Sequence, residues 1–191
     1  MIAAASKGDI KENSLYAIFA NLFSYPSEYY KEMVQECVDA LLDHPEYPEE
    51  AVREAQAFQE KIKDLTLDDI EGIYSYTFEM SADYTLDLGH HLYDGFKRST
   101  NLLSIKTMYR KYGFPFESIA KNELPDHLAL VLRFLDMLDD NEPVRTDFRA
   151  DFLVRALEKI DKCFEVKGGD NIYSHLERAL YIVIDKDVKD S

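Results

Sequence analysis

Hydrophobic residues recur every three or four positions along most of the chain, which is the period of an amphipathic helix. A first helix, ending near Pro26, is marked by Leu15, Ile18, Phe19, Leu22 and Phe23. The same spacing predicts further helices over residues 27–44, 49–65, 66–78, 83–92, 96–112, 125–138, 148–166 and 171–185. The pattern therefore predicts an all-α, single-domain bundle of about eight to nine helices spanning residues 1–191, with residues 1–10 flexible.

Several residues at the ends of these segments are typical of helix caps. Ser27 is placed to cap the second helix, and Thr66 followed by Asp69 resembles a capping box. Gly113 is expected to end the helix over 96–112. Pro125 suits the first turn of the next helix, because its missing N–H needs no partner there. Residues 114–124 have no clear period and are predicted to form a loop with one short turn.

Composition supports helices and excludes other classes of protein. The 191 residues include only 7 Gly and 6 Pro, too little turn material for a barrel or sandwich of many short strands.

The two cysteines, Cys37 and Cys163, form no CxxC pair, so neither a zinc site nor a disulfide framework is indicated, and a reducing cytoplasm is expected. The N-terminus has no long apolar segment, and the longest apolar run covers only residues 179–184. We therefore expect no export signal and no stable membrane insertion.

Charge is distributed unevenly along the chain. The formal net charge is −15, and residues 1–80 hold 6 basic and 17 acidic residues, against 16 and 20 in residues 81–191. Nucleic acid is not expected as a partner, because its phosphates would be repelled. The acidic N-terminal part favours a cationic partner such as a basic peptide segment, with solubility as the simpler explanation.

Candidate catalytic and metal-ligating residues are few. The sequence has no Walker A motif, no dinucleotide-binding glycine motif and no GxSxG motif. Asp87 and His90 form one helical Asp-x-x-His pair, whereas a di-iron bundle needs two such motifs and further carboxylates. The alternative to a binding protein is a metal-dependent helical enzyme that uses Asp87, His90, His91 and His127.

The segment 123–128 reads Glu-Leu-Pro-Asp-His-Leu and is the most unusual string in the chain. Asp126 would be favoured near the positive end of a helix dipole, whereas the same dipole would keep His127 neutral. By its pattern alone, the segment is a helix start with capping acids.

Together with Leu-Arg-Phe-Leu at 132–135, this segment resembles the E-L-P-D-H-L…FL signature of the NarJ/TorD family of molybdoenzyme maturation chaperones. The resemblance extends in order over about residues 15–140. It includes Leu-Phe-Ser-Tyr-Pro at 22–26, Tyr74 with Phe78, the His90, Gly95 and Arg98 series, and then Leu103, Tyr109 and Gly113. Leu124, between Glu123 and Pro125, is similar to the nitrate reductase branch of the family.

The resemblance implies a TorD-like fold and a cytoplasmic, non-catalytic chaperone that needs no cofactor of its own. Members of the family bind the N-terminal segment of the apo catalytic subunit of a molybdoenzyme, often a twin-arginine signal peptide or its remnant. They hold that subunit until the molybdenum cofactor is inserted. The expected client here is a nitrate-reductase-like subunit. Relatives can exchange helices between subunits, so a monomer and a dimer swapped through residues 114–124 both stay open.

We expect a client peptide to place its apolar side in a groove and its cationic end on acidic residues. Candidate apolar contacts, with core packing as the alternative, are Tyr74, Phe78 and Tyr84. The motif contributes Glu123, Pro125, Asp126 and His127. Further acidic candidates are Asp68, Asp69, Asp139 and Asp140. Arg98 is expected to pair with Glu123 or Asp126 as a structural hinge, and alanine at Asp126 or His127 is expected to weaken binding without unfolding the protein.

Overall fold

Eleven α-helices follow one another along residues 14–190, the part of the chain that the computed structural model describes. Their bounds are α1 Leu15–Leu22, α2 Tyr30–Asp43, α3 Glu49–Ile62, α4 Leu67–Tyr74, α5 Leu88–Leu92, α6 Gly95–Tyr112, α7 Phe116–Ile119, α8 Leu128–Met137, α9 Pro143–Phe148, α10 Val154–Cys163 and α11 Tyr173–Lys189. Over these residues no strand forms, and β pairing is limited to one isolated bridge between Asp87 and His127. The all-α prediction is confirmed, while the predicted flexibility of residues 1–10 lies outside the described residues.

Three π-helical turns continue these helices without a break. Ser75–Glu79 extends α4, Arg149–Leu153 joins α9 to α10, and Phe164–Gly168 extends α10. Residues 143–168 are therefore one long helical stretch, which begins five residues earlier than the sequence pattern predicts. The reason is Pro143, which occupies the first turn of α9, where its missing N–H needs no partner.

The core is built around α1, which is buried on nearly all sides and packs against α2 and α8. On the other side, α11 packs against α3 and α10. Aromatic rings connect these layers: the ring of Tyr173 lies 5.3 Å from Phe58, 5.9 Å from Tyr74 and 4.8 Å from Phe78, measured between centroids. Within residues 14–190, no helix is long and apolar enough to cross a membrane.

Two of the predicted helix ends form as expected. Thr66 Oγ1 accepts from the Asp69 N–H at 3.2 Å, and Asp69 Oδ2 accepts from the Thr66 N–H at 2.9 Å. Gly113 ends α6 with a φ of 73°, a left-handed conformation that favours glycine. The loop over 114–124 contains one short helix, α7, as expected.

Three local predictions are wrong. The Ser27 side chain caps no helix: α2 begins at Tyr30, whose N–H bonds to the Ser27 carbonyl. Pro125 does not begin a helix, because α8 starts at Leu128 with His127 as its N-cap. The helix predicted over 83–92 is reduced to α5, since the backbone around residue 86 pairs with the motif segment instead of continuing a helix.

Candidate functional site

The motif segment 123–128 forms a turn that leads into α8. The His127 N–H donates to the Leu124 carbonyl at 3.0 Å and closes this turn. On one flank, the Leu128 N–H donates to the Leu86 carbonyl at 2.8 Å, and the Leu88 N–H donates to the Asp126 carbonyl at 3.1 Å. The turn is therefore held by backbone hydrogen bonds to a segment about 40 residues earlier in the chain.

Asp126 lies inside the protein, with 0% of its surface exposed. Its Oδ2 accepts from the Gly89 N–H at 2.9 Å, while its Oδ1 has no hydrogen-bond partner among residues 14–190. Burial raises the pKa of this carboxyl, and the charge of Asp87 adds to the effect. The adjoining Pro125, also buried, accepts from the Tyr109 hydroxyl at 2.8 Å through its carbonyl. Hydrogen bonds to Pro125 and Asp126 thus attach the buried side of the turn to α6 and α5.

Gly89 permits this anchor because it has no side chain. A Cβ at this position would lie 2.6 Å from Asp126 Oδ2 and 3.2 Å from Asn101 Oδ1. The first distance is shorter than any ordinary contact, so another residue would displace the carboxylate. The requirement for glycine comes from this close approach across two segments of the chain.

Arg98 does not pair with Glu123 or Asp126, which corrects the expected hinge contact. Its Nη2 lies 3.1 Å from Asp87 Oδ2 in a partly buried ion pair. Asp87 is the N-cap of α5, and the packing of α5 against α6 accounts for this partner. Arg98 therefore holds the segment that pairs with the motif, not the motif itself.

His127 caps α8 with its ring. Its Nδ1 accepts from the Ala129 N–H at 3.3 Å, so the proton of the neutral ring is on Nε2. Nε2 lies 3.7 Å from Glu123 Oε2. Burial lowers the pKa of His127, against the opposing effect of Glu123. The ring is therefore neutral near pH 7, as the sequence suggested, although the main cause is burial and not the helix dipole.

Two adjoining cavities open beside the motif, with volumes of about 370 and 220 Å³. Both are lined by Tyr74, Glu79, Glu123 and His127, and we call the combined space the motif cleft. The Glu79 and Glu123 side chains are exposed at its rim. Tyr25 lines the larger cavity, with its ring 5.6 Å from that of Tyr74. The cleft thus offers two carboxylates, aromatic surface and one imidazole N–H, while Lys121 and Arg133 add two cations to the lining of the larger cavity.

The structure brings together only some of the predicted site residues. Tyr74 and Phe78 are mostly buried in the core, yet both line the motif cleft beside Glu123 and His127. Tyr84 does not reach it, because its ring stacks on Phe164 at 4.3 Å between centroids.

The acidic candidates outside the motif also lie away from the motif cleft. Asp139 and Asp140 follow the far end of α8, about 15 Å from its start at the usual helical rise. Asp140 forms an ion pair with Arg145 there. Asp68 and Asp69 are in the first turn of α4, where Asp69 completes the capping box.

Several residues of the motif cleft were not predicted from sequence, and they include Tyr25, Glu79, Lys121 and Arg133. Tyr25 belongs to the 22–26 string that carries the family resemblance, and this string was a usable signal for it. Glu79 ends the π-helical turn after α4, and Arg133 lies one turn into α8 and donates to Asn21 Oδ1 at 2.6 Å. Nothing in the local pattern marks these two, since the fold alone brings them to the cleft.

The residues proposed for a metal-dependent enzyme do not form a metal site. Asp87 is engaged by Arg98, and His91 bonds through Nε2 to the Thr85 carbonyl at 2.8 Å. His90 is exposed, whereas His127 is the buried cap of α8. In the described part of the chain, no group of three or more His, Cys, Asp or Glu side chains could hold a metal ion. The alternative function therefore finds no support.

The all-α bundle and its motif place the chain among the NarJ/TorD chaperones. The sequence model for the nitrate reductase delta subunit matches residues 45–159, which is more than half of the chain. The chain belongs to this family, whose members are maturation chaperones of nitrate reductase. No curated protein matches the sequence significantly.

Proposed function

We propose that the protein is a cytoplasmic, non-catalytic chaperone that binds the N-terminal segment of a nitrate reductase catalytic subunit in the motif cleft. It holds this apo subunit until the molybdenum cofactor is inserted. The segment is a twin-arginine-type signal peptide or its remnant. The observation that carries the proposal is the position of the motif: Glu123 and His127 line both cavities and lie where the two adjoin.

The two rim carboxylates give the cleft its preference for a cation. Glu79 and Glu123 can each accept hydrogen bonds from an arginine or lysine of the client, and arginine binds carboxylates in a bidentate geometry. Both carboxylates are exposed, so each pair contributes only modestly, and the preference depends on their combination. The high density of acidic residues in the N-terminal part adds a long-range attraction.

Aromatic side chains provide the apolar part of the surface. The Tyr74 hydroxyl donates to the Phe23 carbonyl at 3.2 Å, so the ring is held rigidly at the base of the cleft. Tyr25 stands beside it and is largely exposed. A rigid aromatic base with an exposed aromatic neighbour suits the apolar face of a short helix or extended segment.

Arg133 makes the two cavities of the cleft differ in charge. Its side chain and that of Lys121 line the larger cavity only, whereas Glu79 and Glu123 line both cavities. A basic client residue is repelled near Arg133 and attracted to the carboxylates. We therefore place the basic residues of the client near the smaller cavity and its backbone carbonyls toward Arg133.

Calorimetric titration tests the proposal with a synthetic N-terminal peptide of the nitrate reductase catalytic subunit from the same organism. A second peptide carries glutamine at each basic position. We expect the parent peptide to bind and the neutral copy to bind at least about tenfold more weakly, the effect of losing about 1.4 kcal/mol. Glu79→Gln and Glu123→Gln should each weaken binding of the parent peptide.

Glu36→Gln is the matched control, because it removes one exposed carboxylate from α2 without touching the cleft. It should leave the affinity nearly unchanged. The proposal is wrong if the folded protein binds neither peptide at several temperatures, or if the control weakens binding as much as Glu123→Gln does.

A further inference from the structure

Helix α6 differs in charge from the rest of the molecule. Its 18 residues contain no Asp or Glu, although the chain as a whole has a net charge of −15. Its five basic residues are Lys97, Arg98, Lys106, Arg110 and Lys111. A helix of this length with only positive charges indicates an anionic partner.

Most of α6 lies on the surface. Only Ile105 and Tyr109 are buried, and the helix packs mainly against the short helices α5 and α7. Phe96 is 87% exposed and Leu103 is 67% exposed. These two side chains are seven residues apart, so they lie on nearly the same line of the helix, about 10 Å from each other. The outer face of α6, which we call the ridge, therefore carries two exposed apolar side chains, and Leu103 also borders a shallow cavity that Val144 lines from α9.

Basic side chains surround this ridge. The helical period places Arg110 on the line of Phe96 and Leu103, Lys97 and Lys111 on one flank, and Lys106 on the other. Lys106 pairs with Glu117 at 2.8 Å. In contrast, Lys97, Arg110 and Lys111 have no carboxylate within 4 Å among the residues that the structure describes. Three cationic groups are thus available to a partner.

We propose that the outer face of α6 docks the protein reversibly on an anionic lipid surface. Helices that lie in a membrane interface insert Phe and Leu at the level of the headgroups, while Lys and Arg contact the lipid phosphates. The exposed ridge has this arrangement, with Phe96 and Leu103 as apolar anchors. Two anchors are too few for permanent insertion, so docking depends on the lipid charge.

The charge and the exposed apolar side chains of the ridge favour a lipid surface over other partners. A second copy of the chain cannot pair α6 with α6, because ten like charges would face each other. A protein partner would need an acidic surface with a separate pocket for each apolar side chain, whereas an anionic bilayer supplies phosphates and an apolar interior along the whole ridge. The net negative charge of the molecule opposes docking, and physiological salt weakens this repulsion for charges more than about 8 Å from the lipid phosphates.

Flotation of the protein with lipid vesicles tests this proposal. One set of vesicles is phosphatidylcholine alone, and the other contains one third phosphatidylglycerol. We expect binding to the anionic vesicles only, with a loss at high salt. Neutralising Lys97, Arg110 or Lys111 with glutamine should weaken partitioning by roughly fivefold for each residue. The double variant Phe96→Ser/Leu103→Ser should abolish it.

The matched control is Tyr29→Ser/Leu42→Ser, which removes two comparably exposed apolar side chains at the start and end of α2. The control should bind vesicles as the parent does.

Because none of these residues lines the motif cleft, every variant should also bind the client peptide normally, which separates this proposal from the proposed function. The proposal is overturned if the parent protein binds no anionic vesicles, or if the control loses binding as the α6 variant does. Light scattering would then show whether α6 instead mediates contact between copies.

Discussion

Asp126 lies behind the proposed binding cleft and not on its surface. Its carboxylate is fully buried and accepts one hydrogen bond from Gly89, 37 positions earlier in the chain. Burying a carboxylate is unfavourable unless hydrogen bonds compensate for the lost water. The residue is therefore expected to contribute to stability and, through the turn, to the placement of Glu123 and His127.

Asp126→Ala should lower the free energy of unfolding by about 1–3 kcal/mol, because it leaves the buried Gly89 N–H without an acceptor. This revises the expectation from sequence that alanine would affect binding alone. Asp126→Asn keeps an acceptor oxygen and should be much closer to the parent. Urea unfolding of both variants measures the difference, with the exposed Asp64→Asn as control. Equal stability of the alanine variant and the parent would contradict the anchoring role.

Gly89→Ala tests the same contact from the other side. The new Cβ would meet Asp126 Oδ2 at 2.6 Å, so the carboxylate must move, at a cost of about 1–3 kcal/mol. Gly72→Ala in α4 is the matched control, since nothing lies within 4 Å of its added Cβ. That change should stabilise the helix by about 0.5–1 kcal/mol. Opposite shifts in the urea midpoint are the expected result, and shifts of the same sign would argue against a tight contact at Gly89.

At the scale of helices, the packing of α10 against α11 encloses a pair of carboxyl groups. Glu177 of α11 is buried, and neither of its oxygens meets a hydrogen-bond donor in good geometry among residues 14–190. Burial raises the pKa of Glu177 well above its ordinary value, and Asp161 of α10 adds to the effect. Arg178 pairs with Asp161, and its charge offsets the rise in the pKa of Glu177 only in part. The fold therefore favours the protonated form of Glu177.

The stability of this pair of helices should fall as the pH rises. The native state holds the Glu177 proton more tightly than the unfolded state, so above the ordinary carboxyl pKa of 4.5 each pH unit removes about 1.4 kcal/mol until the native group ionises. Glu177→Gln removes this dependence. We expect thermal unfolding from about pH 5 to about pH 8 to show that the melting temperature of the variant rises relative to that of the parent as the pH increases. Parallel profiles of the two proteins would contradict the assignment.

At the scale of the whole molecule, the charges are separated. Residues 1–80 carry a net charge of −11, whereas the exposed helix α6 carries only positive charges. Such a separation suits the two proposed interactions, with a cationic peptide at the motif cleft and an anionic surface at α6. Each attraction is long-range and depends on ionic strength.

Salt should therefore slow the association of the client peptide more than its dissociation. Between low and physiological ionic strength, the association rate of the basic peptide is expected to fall by about tenfold, as for other electrostatically steered pairs. Stopped-flow fluorescence with a labelled peptide measures both rates. The copy with neutral residues serves as control, and its association rate should change little. A salt effect confined to the dissociation rate would exclude steering.

Interactions between close neighbours in sequence were sufficient to predict much of the fold. The apolar period predicted α1, α3 and α6 closely, and the Thr66–Asp69 box and the Gly113 cap formed as expected. These features depend on contacts within about four residues, which a sequence pattern records directly. The motif at 123–128 likewise identified the family from its residues alone.

The tertiary structure decided the role of each motif residue. The sequence could not show that Asp126 is buried against Gly89 while Glu123 stays exposed, because burial depends on segments about 40 residues apart. The backbone pairing between the segment around residue 86 and the motif also shortened the helix predicted over 83–92. Asp87, in this paired segment, is the partner of Arg98. Only the folded protein shows that Glu79 and Arg133 line the cleft. The sequence by itself thus determined the helices and the family. The surroundings of each carboxylate follow from long-range packing, because packing controls which groups lose contact with water.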